Sequence, residues 1–249
     1  MFAAGASVGS ASSITYWVDV FSGITTAQAC VGTCPDHNSA TLGTGGGPNI
    51  TLTVPKFDQT DPNPNHHFEL TDVAITLDWK ATGTVTVFNF FSSAVPFDNA
   101  QASTLMTLTA DATQVVANGA AGTGPGVAAC CNILNNNPPG FFLGQTTFGG
   151  LTGNGANTQN SGNLGFFEGF GVNSFAASLA TDAVAVTGTS SDTHSSSLAY
   201  QGSGQMGAIA TFTYTYTEVA GSPAPEPVTF SLAGVALIGL GLVRRSRKA

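Results

Sequence analysis

Asp72-Val-Ala-Ile-Thr-Leu-Asp-Trp79 and Thr84-Val-Thr-Val-Phe-Asn-Phe-Phe91 decide the fold, with Ala81-Thr-Gly83 between them. Both alternate apolar and polar residues with a period of two and are rich in β-branched and aromatic types, the pattern of half-buried strands. The short Gly-containing break reads as a hairpin.

Working outward, the same pattern recurs in Ile14–Phe21 (ITYWVDVF), Asn49–Val54 (NITLTV), Thr104–Ala110, Ala183–Thr189 and Ala208–Val219 (AIATFTYTYTEV). Several short strands separated by Gly/Asn turns predict an all-β antiparallel β-sandwich over residues 12–222. Two stretches break the alternation. Residues 26–48 carry two cysteines and end in Gly43-Thr-Gly-Gly-Gly47, and residues 117–165 are rich in Gly and Asn. Both read as long loops on the sandwich.

Composition restricts the function. Charged residues make up only 8 % of the 249, with Thr, Ser, Asn and Gly filling the surface role, as in exported β-proteins. All fourteen acids lie at or before Glu226, where Lys56 and Lys80 are the only bases, so residues 1–243 carry −12. The last six residues hold Arg244, Arg245, Arg247 and Lys248. A body of that sign repels nucleic acid and anionic lipid, and neutral polymers such as polysaccharide or cations remain as partners.

The two ends have their own signals. Val228–Val243 (VTFSLAGVALIGLGLV) is an uncharged run of 16 residues. As a helix it spans about 24 Å, a little short of the roughly 30 Å hydrocarbon core, a gap that snorkelling Arg and Lys close. A buried core helix is the alternative. The basic cluster that follows favours one transmembrane helix with its C-terminus cytoplasmic and the body outside. Pro223-Ala-Pro-Glu-Pro227 makes a stiff spacer before it. At the other end, residues 1–11 read as the remnant of a signal peptide, with Gly9 and Ala11 placed as at a cleavage site, or as a small-residue leader.

Pro225-Glu226-Pro227, the apolar span and the Arg244-Arg245-Ser-Arg-Lys248 end resemble the PEP-CTERM sorting signal of Gram-negative bacteria, over residues 223–249. The resemblance implies transient residence in the inner membrane, cleavage near Pro225–Pro227 by an exosortase, and transfer to the cell surface or exopolysaccharide matrix. A first strand followed by Leu52-Thr-Val-Pro-Lys-Phe-Asp58, then Leu70–Leu77, Gly83-Thr-Val-Thr-Val-Phe-Asn89 and Tyr200-Gln-Gly-Ser-Gly204, is similar to the exported domain family called choice-of-anchor E. That likeness spans roughly residues 14–219 and implies no catalytic residues.

Candidate sites follow. Cys30, Cys34, Cys130 and Cys131 outside the cytoplasm predict two disulfides. A bond within vicinal Cys130-Cys131 needs a strained ring, so the expected pairing joins each to Cys30 or Cys34 and ties the two long loops together. The rival is a zinc set of Cys30, Cys34, His37 and one of the later cysteines. His66-His67 beside Asp58, Asp61, Asn63 and Asn65 reads as a solvated loop, with calcium as the rival. Phe141-Phe142 and Phe166-Phe167 sit among glycines, as sugar-stacking aromatics or as a satellite core. Thr211, Thr213, Thr215 and Thr217 lie opposite Phe212, Tyr214 and Tyr216, but a single Thr strand lacks the flat array that ice binding requires. Gly5-Ala-Ser7-Val-Gly9 matches a nucleophile elbow without a preceding strand, and His194 reads as a loop residue. No enzyme, resident metal or cofactor is expected. The leading reading is a structural or adhesive surface protein, then a carbohydrate-binding module, with a secreted enzyme third.

Overall fold

The computed structural model describes residues 11–44, 49–60, 66–130 and 144–220. Among these, the strands in chain order are β1 (Ser12–Asp19), β2 (Gln28–Cys30), β3 (Gly43–Thr44), β4 (Ile50–Pro55), β5 (Phe57–Asp58), β6 (His66–Asn89), β7 (Val95–Phe97) and β8 (Asn99–Ala110). They continue with β9 (Thr113–Thr123), β10 (Gly126–Ala128), β11 (Gly144–Asn160), β12 (Glu168–Gly169), β13 (Ser174–Thr181), β14 (Ala185–Thr189) and β15 (Leu198–Ala220). Among the described residues helix is confined to single turns at 37–39, 164–167 and 195–197.

Two antiparallel sheets face each other. One runs β11-β6-β15-β1-β2, with β3 added to β15. In the other, β8 pairs with β9 on one side and successively with β14 and β13 on the other, and β4 completes it beyond β13. The small parallel pair β5–β12 stands outside both sheets.

The hairpin expected at Ala81-Thr-Gly83 does not form. β6 is continuous over 24 residues and pairs along its whole length with the 23-residue β15, Gly83 standing opposite Gly204. The inward side chains keep one parity through the glycine: Val73, Ile75, Leu77, Ala81, Val85 and Val87 are all buried. Gly83 serves close approach rather than reversal. A Cβ there would stand 3.1 Å from the Ser203 carbonyl oxygen and 3.2 Å from the Ala102 Cβ of the facing sheet.

The described parts of 117–165, residues 117–130 and 144–165, are also largely strand rather than loop. They hold most of β9, all of β10 and the 17-residue β11. The apolar period is missing because inward positions on β11 include Gly153 and Gly155, where neighbours leave no room for a side chain: a Cβ on Gly153 would run into the Ala120 carbonyl, and one on Gly155 into the Trp79 indole. Residues 26–44 are largely a loop, as expected, with β2, a 3₁₀ turn and β3 within it.

Between the sheets lie two cores. The larger contains Leu52, Phe57, Ile75, Leu77, Leu108, Phe167, Phe175, Leu179, Phe212 and Tyr214. The smaller contains Val85, Val87, Phe97, Ala100, Ala102 and Ala128. The long strands β6 and β15 run through both. Phe167 is fully buried and meets Phe175 edge-on at 5.2 Å, so Phe166-Phe167 form part of the core. Phe141-Phe142 lie outside the described residues, as do 1–10, Cys131, Asp61, Asn63, Asn65, Pro225–Pro227 and the basic cluster 244–248. Among the described residues no helix is long and apolar enough to cross a membrane; the expected span 228–243 is not among them.

Candidate binding cleft beneath a stapled loop

In β1, Tyr16 and Val18 turn inward, so Thr15, Trp17 and Asp19 face outward. β15 likewise buries Phe212 and Tyr214 and presents Thr211 and Thr213. The outward face carries rows of hydroxyls across strands: Thr15–Thr213 at 3.2 Å, Thr76–Thr158 at 2.8 Å and Thr86–Thr147 at 3.0 Å. On the last strand Thr213 thus meets β1, whereas the Thr211 hydroxyl, level with Thr76 on β6, is buried without a hydrogen-bond partner. A register shift between Thr215 and Tyr216 ends the regular part before Thr217.

Residues 21–42 fold back over this face. Asp19 holds both ends of that loop: Oδ1 accepts from the Phe21 N–H, and Oδ2 accepts from the Thr41 N–H at 2.9 Å and the Thr41 hydroxyl at 2.6 Å. Asp36 caps the turn at 37–39 by accepting from the Asn38 N–H. Lys80 donates to the Asn38 carbonyl, and the Asn154 amide meets His37 Nε2 at 2.9 Å. A disulfide joins Cys30 to Cys34 within the loop. Ile209 shows that the loop is a true cover: it faces outward from β15 yet is only 1 % exposed. Burial under the cover also raises the pKa of Asp78; His37 opposes the rise and Asp36 adds to it.

Between loop and sheet is a cleft of about 470 Å³. Trp17, Ile209 and Asp19 line it from the sheet, Gln28 from β2, and Ser22, Ile24, Thr26, Thr33–Asp36 and Ser39 from the loop. An indole, a side-chain amide and several hydroxyls therefore converge on one space. The two carboxylates in its wall already hold the loop in shape, which suits recognition better than proton transfer.

The cysteine pairing differs from the expected one. Cys30 and Cys34 bond to each other, so neither reaches the later pair, and neither offers a thiolate to zinc. Cys130 is disulfide-bonded too, to neither of them. Distance along the sheet explains this. Cys30 stands level with Thr15, Thr213 and Ala74, whereas Cys130 follows Ala128 and Ala129, whose carbonyls meet Asn89 at the far end of β6. Fifteen residues of strand, roughly 50 Å, separate the two levels, and a disulfide spans only about 6 Å between Cα atoms.

Other candidates separate cleanly. The Asp58 carboxylate accepts from the Thr60 and Gly171 N–H groups, and its pKa is lowered chiefly by its bonds with Thr60. His194 lies in a surface turn, its Nδ1 3.0 Å from Asp192 and its ring 3.9 Å from that of Phe91. Among the described residues no group of three or more His, Cys, Asp or Glu is placed to hold a metal ion. Sequence reasoning passed over the Trp17 cleft, although outward parity of Trp17 in ITYWVDVF was readable. No family model, curated protein or solved structure matches this chain.

Proposed function

We propose that this chain is an exported structural or adhesive protein of the cell surface or extracellular matrix, carried there by its C-terminal tail. The Cys30–Cys34 bond carries the reading, because such a bond persists in an oxidising compartment and the same chain ends in a Pro-Glu-Pro, apolar, basic tail. In this proposal Arg244, Arg245, Arg247 and Lys248 hold the C-terminus inside the inner membrane, and an exosortase cuts near Pro225-Glu226-Pro227. The body then joins the exopolysaccharide without catalysis. The test is the intact mass of surface protein from strains with and without an exosortase. Loss of Val228–Ala249 only when the enzyme is present is expected; retention in both strains overturns the sorting reading.

A second reading, saccharide binding, is favoured by the cleft. Trp17 beside Gln28 and the loop hydroxyls matches what a neutral sugar ring needs, a flat apolar face and hydroxyl partners. The acidic walls and acidic body disfavour an anionic polymer. Neutral hexose oligomers titrated calorimetrically against the chain should bind, and Trp17→Ala should remove the heat without lowering the melting temperature. Equal heats from both chains exclude this cleft.

A further inference from the structure

We propose that two copies of this chain join edge to edge through β11, antiparallel over Leu151–Asn160. Among the described residues β11 pairs with β6 alone, so it is an edge strand with no ladder on its other side, β9 packing against its inner face at Gly153. A Gly149-Gly150 bulge interrupts its register with β6, after which Leu151 to Asn160 run unbroken opposite Gly83 to Ala74. Those ten residues contain neither proline nor charge, and Ala156 to Asn160 are all exposed. Natural edges are usually blunted by such residues; this one keeps only the bulge at its start.

Charge identifies the occupant. From Ala112 to Phe167 there is no Asp, Glu, Lys, Arg or His. The fold brings β9, the outer strand of the second sheet, against β11, so this stretch supplies both edges of one flank. All the acids of the −12 body lie in other parts of the chain. Here the two edge strands meet with no charge of their own, the acids Asp72 and Asp78 standing one strand further in on β6. An antiparallel pairing about a two-fold axis matches β11 with itself, centred near Gly155 and Ala156, and satisfies backbone groups on both copies. The pairing deepens the matrix reading by naming a partner, and it needs no cleavage of the tail.

The full chain in non-ionic detergent should have twice the single-chain mass by light scattering at about 100 μM. Asn157→Lys with Gln159→Lys places four positive charges at the joint and should return the mass to one chain, with the far-ultraviolet spectrum unchanged. Thr51→Lys with Thr53→Lys, on β4 at the far side of the second sheet, should keep the doubled mass. Association through the tail would ignore all four substitutions. A wild-type monomer, a Lys pair on β11 that leaves the mass doubled, or a β4 pair that abolishes it overturns the proposal. Hydrogen exchange supplies a measurement without mutation: amides of 151–160 should exchange at least tenfold faster on dilution to the monomer, and concentration-independent rates also overturn it. A monomer whose tail is still cleaved sinks the pairing alone, whereas an uncleaved dimer sinks the sorting reading alone.

Discussion

The two ends of β6 and β15 build different cores from the same pair of strands. Toward His66 and Ala220 the interior is aromatic: Phe57, Phe167, Phe175, Phe212 and Tyr214 meet in tilted and edge-on contacts 5.2–6.4 Å apart. Toward Asn89 and Leu198 it is made of Val85, Val87, Ala100, Ala102 and Ala128, with Phe97 as its one fully buried ring. Between them lies a waist of small residues, Ala81, Gly83, Ala121 and Gly204, where the sheets draw together. Core volume along a sandwich is thus set by local residue size, while strand continuity is set by parity alone.

The largest effect should come from the aromatic end. Phe212→Ala should cost about 3–5 kcal/mol in denaturant unfolding, against about 2 for Val87→Ala in the small core. Equal costs would mean that the two cores are equally well packed and would break the comparison. The waist comes next. Gly83→Val should destabilise by about 2 kcal/mol, because its Cβ would stand 3.1 Å from the Ser203 carbonyl oxygen. A neutral result would show that the sheets do not close there.

A smaller change sharpens the aromatic end. Tyr214 donates its hydroxyl to the Pro55 carbonyl at 2.8 Å, joining a central strand of one sheet to the edge strand of the other. Burial raises its pKa, so it stays neutral well above the usual tyrosine range. Tyr214→Phe should cost about 1 kcal/mol and leave the ring packing intact; a loss as large as that of Phe212→Ala would show that the hydroxyl, not the ring, organises this end.

The smallest effect concerns the cover. The folded pKa of Asp78 is raised, so the fold binds its proton more tightly than the unfolded chain does. Stability from this group is present below the ordinary carboxylate pKa and falls as pH rises through the raised value. Asp78→Asn should therefore stabilise at neutral pH by a few tenths of a kcal/mol after solvent screening, and flatten the pH dependence just above the ordinary range. Destabilisation instead would show that the charge supports the loop through His37.

Most of this architecture was legible because inward side chains are large enough to mark their parity. ITLTV, DVAITLDW and AIATFTYTYTEV became β4, parts of β6 and the end of β15. The reading failed wherever glycine holds the inward positions. Gly83 looked like a turn and Gly144–Asn160 like a loop, since backbone contact leaves no apolar trace in composition. SFAASLAT (β13) passed unmarked because Ala and Ser blur its alternation. The cleft depends on which part of the outer face the 21–42 loop covers, a fact held in the contacts of Asp19 with Thr41 rather than in any local pattern. The disulfide pairing failed for a metric reason: two cysteine-bearing segments that look alike in sequence sit at opposite ends of a strand pair.

The place of β15 in its sheet has a mechanical consequence. Ala220 stands opposite His66 on β6, and from Tyr216, opposite Ser12 on β1, the strand runs inward between two neighbours. A load applied at Ala220 enters along the axis of a central strand, at right angles to its hydrogen bonds. Those bonds cannot peel away one by one as at a free edge; the rows on both sides resist together, in shear. Tension at this end of the body is therefore borne by the longest ladder in the molecule.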